Sequence, residues 1–393
     1  MIPVLRERFN AVFTAEKYAA FLARLEEASG APPLFRHSET PCFFPQRLID
    51  RMARDGCELI RQLTTPEYQQ IARQAVPAQF DAPGEPEHPL FLQVDFGLVR
   101  EASGEIAPRL VEIQAFPSLY AYQPVLSRVY IEAYGLDPSL RYLLGGLDPA
   151  RYQALLGRAI LGGHHPENVI LMEIEPERQK TLADFRLTER LLGVRSVDIV
   201  DISQEGRRLY YQRDGRKVPI HRIYNRAIAD ELQRRGVTPA FDFRDDLDVE
   251  WAGHPNDYFR VSKFSIPYLR HPSVPQTWFL DQLHHIPRDT ARYVLKPLFS
   301  FAGLGVRIGP TPEEVRAIPP GQRREYILQE RVNFEPVIET PFGKTRAEVR
   351  IMYIWLEDLL PVSLLVRMGR GAMMGVDHNK DMEWVGASAG LCA

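Results

Sequence analysis

Two stretches of alternating apolar and polar residues, one early and one late, most limit how this chain can fold. Phe91 to Val99 alternates, Ser103-Gly104 supplies a turn, and Arg109 to Ala115 alternates again. Far along the chain, Ala347 to Trp355 and Leu360 to Met368 read as a long antiparallel pair across Glu357-Asp358. Period-two alternation gives each strand one apolar face that must be covered. The chain has 393 residues, too many for one hydrophobic core, so two or three lobes are expected.

The elements between these stretches predict a mixed α+β and α/β architecture. The first 90 residues read as helical, with amphipathic stretches from Thr14 to Glu27 and from Pro45 to Leu63. Thr65-Pro66-Glu67 is an N-cap with proline at the first helical position. Residues 121–160 return to helix. Strand Asn168–Glu173, helix Leu182–Leu192 and strand Ser196–Ile202 form a βαβ rhythm, which predicts a small doubly wound lobe. Arg208 to Asn225 reads as a hairpin around Asp214-Gly215. Thr311-Pro312-Glu313-Glu314 is a capping box that opens a helix.

Composition excludes several classes. A net charge of −3 from 48 basic and 51 acidic residues argues against a dedicated nucleic-acid binder. No apolar run reaches the roughly 18–20 residues of a membrane helix. Met1-Ile2-Pro3-Val4-Leu5-Arg6 shows no basic-then-apolar leader. Cys42, Cys57 and Cys392 are scattered and odd in number, which speaks against a disulfide framework or a cysteine zinc site. The default expectation is a soluble cytoplasmic protein. No HExxH or GxSxG motif is present.

Four segments carry residue types suited to chemistry. In Tyr293–Val306 a strand delivers Lys296, and a small-residue loop with Gly303 and Gly305 leads to another strand. Loop N–H groups and a lysine suit a phosphate chain. Glu112 and Gln114 share a strand face roughly 7 Å apart, with Asp95 on the partner strand. Oxygen ligands of this kind suit Mg²⁺. Glu348 and Arg350 share a strand face, as either an exposed salt-bridged edge or a site lining. Tyr326 to Val332 is an apolar strand ending in Gln-Glu, compatible with a hinge whose backbone reads an adenine edge.

In order, these blocks resemble the ATP-grasp superfamily. Val261-Ser262-Lys263-Phe264 followed by His271 to Thr277 resembles the first ATP lysine and its lead into the next lobe. Tyr293 to Val306 resembles the second lysine strand and phosphate loop, Leu328 to Val332 the adenine hinge, and Glu348-Val349-Arg350 the strand beyond it. Val94-Asp95-Phe96-Gly97 and Leu110 to Leu119 resemble the metal strands, which a standard member carries at the end of the chain. That order is similar to the circularly permuted branch of eukaryotic glutathione synthetase and glutathionylspermidine synthetase. Gln114 departs from the usual Asn, and the loop has only two glycines.

The resemblance implies an ATP-dependent carboxylate–amine (or thiol) ligase working through an acylphosphate, with ATP and Mg²⁺ as cofactors. It assigns Lys296, Gly303 and Gly305 to the phosphates, and Lys263 to the α-phosphate or adenine edge. Gln329, Glu330 and Val332 would hold adenine and Glu348 the ribose. Asp95, Glu112 and Gln114 would hold Mg²⁺, with Lys296 and Arg350 at the transferred phosphoryl group. Arg222, Arg226, Arg367 and Arg370 are the arginines read as holding an acidic substrate, since guanidinium forks suit carboxylates. Small-molecule carboxylate and amine substrates are the expected partners, without nucleic acid or membrane; a homodimer is one open oligomeric state. The alternatives are a phosphotransferase and a nucleotide binder with a degraded site. Gly369 to Gly375 reads as a mobile loop that closes over the site, with His378, Asn379 and Lys380 at the same edge. The segments expected are a helical 1–90, metal-binding strands within 91–160, a small α/β substrate lobe over 161–260 and ATP-binding lobes over 261–393.

Overall fold

The early and late hairpins form one sheet. In this computed structural model, which describes residues 1–299 and 303–393, strand Phe91–Arg100 pairs with Ile106–Gln114 on one side. On its other side it pairs with Gly343–Trp355, placing Asp95 opposite Arg350 and Gly97 opposite Glu348. Leu359–Gly369 and Gly386–Cys392 continue the sheet antiparallel, and Cys42–Phe44 closes it in parallel. The two hairpins are neighbours, because both carry a face of Val, Leu and Ile that a shared sheet buries together.

The helix Gln46–Gln62 covers one face of this main sheet through Leu48, Ile49, Met52 and Ile60. Tyr353 donates its hydroxyl to the Ala53 carbonyl at 3.0 Å, tying helix to sheet. Helix Tyr122–Tyr134 packs on the other face against Leu359–Gly369 and Gly386–Cys392, with Ala15–Ser29 layered on it, while Pro149–Leu161 and Leu182–Leu192 pack against strands Arg222–Asn225 and Arg195–Asp198. Thr65 caps its helix by accepting from the Tyr68 amide, and Thr311 and Glu314 complete their capping box. The three cysteines are buried and free. Among the described residues, no helix is long and apolar enough to cross a membrane.

The described residues form three smaller sheets, of which one is the three-stranded Ser203–Glu205, Arg208–Arg213 and Arg216–Ile220, and the other two have four strands each. Glu250–Ala252, Arg222–Asn225, Val169–Glu173 and Arg195–Asp198 form a parallel sheet in that order. Here two boundaries differ from the sequence reading. The hairpin around Asp214-Gly215 stops at Ile220, and Arg222–Asn225 joins the parallel sheet. The strand read as Ser196–Ile202 ends at Asp198, whose carboxylate caps a short 3₁₀ turn over Ile199–Asp201. The other four-stranded sheet orders Thr277–Phe279, Tyr326–Glu330, Tyr293–Pro297 and Arg307–Ile308, all antiparallel.

The segment after Glu330 crosses the main sheet closely. A Cβ at Gly97 would lie 2.7 Å from Val332 Cγ1 and 2.8 Å from the Phe334 ring. The Glu335 amide then bonds the Leu98 carbonyl at 2.7 Å. Only a residue without a side chain permits that approach. Gly97→Val should therefore destabilise the protein by about 1–3 kcal/mol through overpacking. Urea unfolding against a control at the exposed Gly321, which has open space and ordinary backbone, checks this; an unchanged midpoint would contradict the close packing.

Candidate functional site

The site is built on one face of the main sheet, where a row of charges crosses four strands. Glu112 and Asp95 are cross-strand partners, Asp95 faces Arg350, and Glu348 faces Arg367. Arg350 grips Asp95 in a two-pronged pair, Nε to Oδ1 at 2.6 Å and the other prong to Oδ2 at 2.7 Å. Arg367 also donates to Asp95, and to Glu348. Asp95 is 1% exposed, so these pairs stand in a low-dielectric setting where an uncompensated charge would be costly.

The carboxylates divide in their behaviour. Burial alone would raise the Asp95 carboxyl, but Arg350 and Arg367 outweigh it and hold the group below its ordinary range. Glu348 goes the other way, pushed up by burial and by Asp95 against the pull of Arg367. Gln93 Oε1 accepts from Arg350 at 2.8 Å and stands 2.7 Å from the Gln114 amide. With its oxygen toward Arg350, Gln114 accepts at 3.1 and 3.2 Å from the same guanidinium.

Two lysines reach this face from the flanking segments. The chain after Val261 runs along the edge of Ile106–Gln114, bonding Ala115 to Val261 at 3.1 Å and Leu110 to Ser273 at 2.8 Å. This places Lys263 Nζ 3.1 Å from Glu112 Oε1. Lys296 donates to the Val111 carbonyl at 3.1 Å. Its ammonium is pushed down to about 8 by burial, with Glu112 pulling up and Lys263 pushing down.

The rest of the nucleotide expectation surrounds these lysines. Gln329 pairs with Val294 in register, so its side chain shares the Lys296 face of the small antiparallel sheet. Its Nε2 is buried without a partner. The Glu330 amide bonds the Gln276 carbonyl at 2.7 Å, and Val332 packs over Gly97. Gly303 and Gly305 both take left-handed backbone, at φ +78° and +75°. Ser300, Phe301 and Ala302 of the same loop lie outside the described residues.

The four arginines read as substrate contacts separate into different roles. Arg222 binds the Ile160 and Ala159 carbonyls at 3.0 Å each, plus Glu250, so it caps a helix end. Arg370 donates to Thr345 at 3.1 Å and to the Glu383 carbonyl at 2.5 Å, holding a loop. Sequence alone could not tell these from ligand arginines, because their partners lie in distant segments. Arg367 belongs to the Asp95 row. Arg226 stands at the C-terminal end of its parallel strand, 4% exposed, stacked on Phe116 at 4.9 Å and Phe185 at 5.4 Å. Its Nε and one terminal nitrogen have no hydrogen-bond partner. The Phe116 ring also lines a narrow cleft with Pro117, Asn225, Gly253, His254 and Tyr258.

The loop Gly369–Gly375, read as mobile, is pinned. Asn379 accepts from the Arg370 and Gly371 amides at 3.0 and 2.9 Å and donates to the Met373 and Gly375 carbonyls at 2.8 and 3.1 Å. This segment meets the phosphate-loop candidate: a Cβ at Gly303 would lie 2.9 Å from Met373 Cε.

The chain shares the fold of a glutathione synthetase-like effector. That protein comes from Globodera pallida and was solved in apo form, with TM-score 0.62 and 12% identity. The likeness covers 97% of this chain and 98% of that one. No protein-family model matches the sequence, and no curated protein matches it.

A divalent ion does not fit the carboxylates as they stand. Both Asp95 oxygens already accept from guanidinium groups, and Glu112 is paired with Lys263. Among the described residues, no group of three His, Cys, Asp or Glu side chains is arranged to hold a metal. Unit charges about 4 Å apart interact by about 4 kcal/mol near a protein surface, and a divalent ion at Asp95 would meet two guanidinium groups.

Removing Arg367 takes away the cationic partner of buried Glu348 and one of the two that hold Asp95, so Arg367→Gln should cost about 3–5 kcal/mol at pH 7. Because the native Asp95 pKa is lowered, the stability it contributes is present above its ordinary value and lost as pH falls through the native one. The gap between wild type and variant should therefore narrow on acidification. Urea unfolding from pH 7 to pH 3 measures it; a gap that widens would contradict the assignment.

Proposed function

We propose that this chain is an ATP-dependent ligase joining a carboxylate to an amine (or thiol) through an acylphosphate. The observation that carries the reading is convergence: Lys263, Lys296, Arg350 and Arg367 meet at one sheet face. The glutathione synthetase-like fold of the structural neighbour supports the same class. Sharing of one sheet by early and late hairpins supports the permuted chain order.

In this reading Lys263, Lys296 and the loop amides hold the triphosphate, and Gln329 to Val332 faces the base. A substrate carboxylate oxygen attacks the γ-phosphorus while the bond to the bridging oxygen breaks and ADP leaves. Phosphoryl transfer asks the protein mainly for in-line positioning and charge neutralisation, which Arg350 and Lys296 supply. The amine or thiol then attacks the acyl carbon, expelling phosphate as its own proton is lost. Arg226, with two unpartnered positions at the carboxyl ends of parallel strands, anchors an acidic group of the substrate. The binding of Asp95 by two arginines favours a second reading, a nucleotide binder without turnover.

Assay with ATP and pools of amino acids, peptides and amines separates the readings. ADP and phosphate released only when acid and amine are both present support the ligase. A stable phosphorylated acid indicates a kinase, and binding without turnover the second reading. Lys296→Met, which keeps the length and removes the charge, should weaken ATP binding by about tenfold or more while folding normally. Calorimetric titration checks this; unchanged affinity would remove the phosphates from this face.

A further inference from the structure

The charge row is cation-rich before any ligand arrives. Lys263, Lys296, Arg350 and Arg367 are four cations set against three carboxylates, Asp95, Glu112 and Glu348. Every acidic group already has a cationic partner, and the surplus is positive. Such a surface calls for an anion, while a further cation would meet repulsion on every side.

The partners of Asp95 are of a kind that accepts phosphate in place of a carboxylate. Arg350 presents two N–H groups to the two carboxylate oxygens at 2.6 and 2.7 Å. That fork spacing fits two phosphoryl oxygens equally well. Arg367 lies across the same carboxylate and bridges to Glu348. Gln114 turns its amide oxygen toward Arg350. The two guanidinium groups thus occupy the position where the superfamily resemblance expects a metal.

We propose that this chain binds the triphosphate of its nucleotide without a divalent cation, Arg350 and Arg367 exchanging the Asp95 carboxylate for phosphoryl oxygens. This rests on the nucleotide reading of the face given above. Asp95 then acts as a competitor of phosphate, and not as a ligand that helps to hold it. The two roles give opposite signs on substitution. A metal-ligating Asp95 would lose nucleotide affinity as Asn; a competing Asp95 would gain it.

The test is calorimetric titration of ATP into the full chain, once with EDTA and once with excess Mg²⁺. The two dissociation constants should agree within about threefold, and AMP should bind at least about tenfold more weakly than ATP in EDTA. Asp95→Asn should bind ATP in EDTA about threefold more tightly or better, and Arg367→Lys, which keeps charge but loses the fork, about tenfold more weakly. If Asp95→Asn does not fold, the wild-type pair of titrations and Arg367→Lys decide the matter. Binding that needs Mg²⁺ overturns the inference and leaves the nucleotide reading standing. Binding in neither buffer overturns the nucleotide reading and the inference with it.

Discussion

The Asp95 carboxylate, buried and gripped by Arg350 and Arg367, is the constraint around which the rest is arranged. Those three residues sit on three adjacent strands drawn from two distant parts of the sequence. Their pairing fixes the register of the early hairpin against the late one, because a one-residue slip would turn Asp95 into the apolar layer. The apolar faces behind them supply the burial energy, while the charges select among registers that would bury similar area.

From that row the site grows outward. Glu112 draws Lys263 from the segment that edges the sheet, and Lys296 anchors on the adjacent Val111 carbonyl. The small antiparallel sheet is thereby held over the main one, and its continuation passes through the gap that Gly97 leaves. Four cations then stand against three carboxylates, a balance that leaves the face with a positive surplus. The parallel sheet lies beside this face and presents Arg226 at the carboxyl ends of its strands. Two of its guanidinium nitrogens have no hydrogen-bond partner there.

Local physics made much of this legible from the residues. Alternation disclosed both hairpins, and side-chain caps at Thr65 and Thr311 marked helix starts that the structure keeps. Helix Leu182–Leu192 coincides with its reading, since its capping glycine and periodicity are local signals. What depends on distant partners was not legible. Gly386–Cys392 is a fully buried strand made of small residues with weak strand preference, formed because Leu359–Gly369 and Cys42–Phe44 flank it. Arg222 and Arg370 looked like ligand arginines until their carbonyl partners came into view. Asn379 turned a glycine-rich loop into a fixed one through four bonds that no local pattern announces.

The claim that organises everything is that Asp95 and Arg350 are coupled across the boundary between the two hairpins. A double-mutant cycle measures that coupling directly, using urea unfolding of Asp95→Asn, Arg350→Gln and the pair together. The account requires a coupling of at least about 1.5 kcal/mol, the double variant being far less damaged than the sum of the singles. Additive losses would mean that the two side chains do not meet in the folded protein, and the site built on their contact would fall.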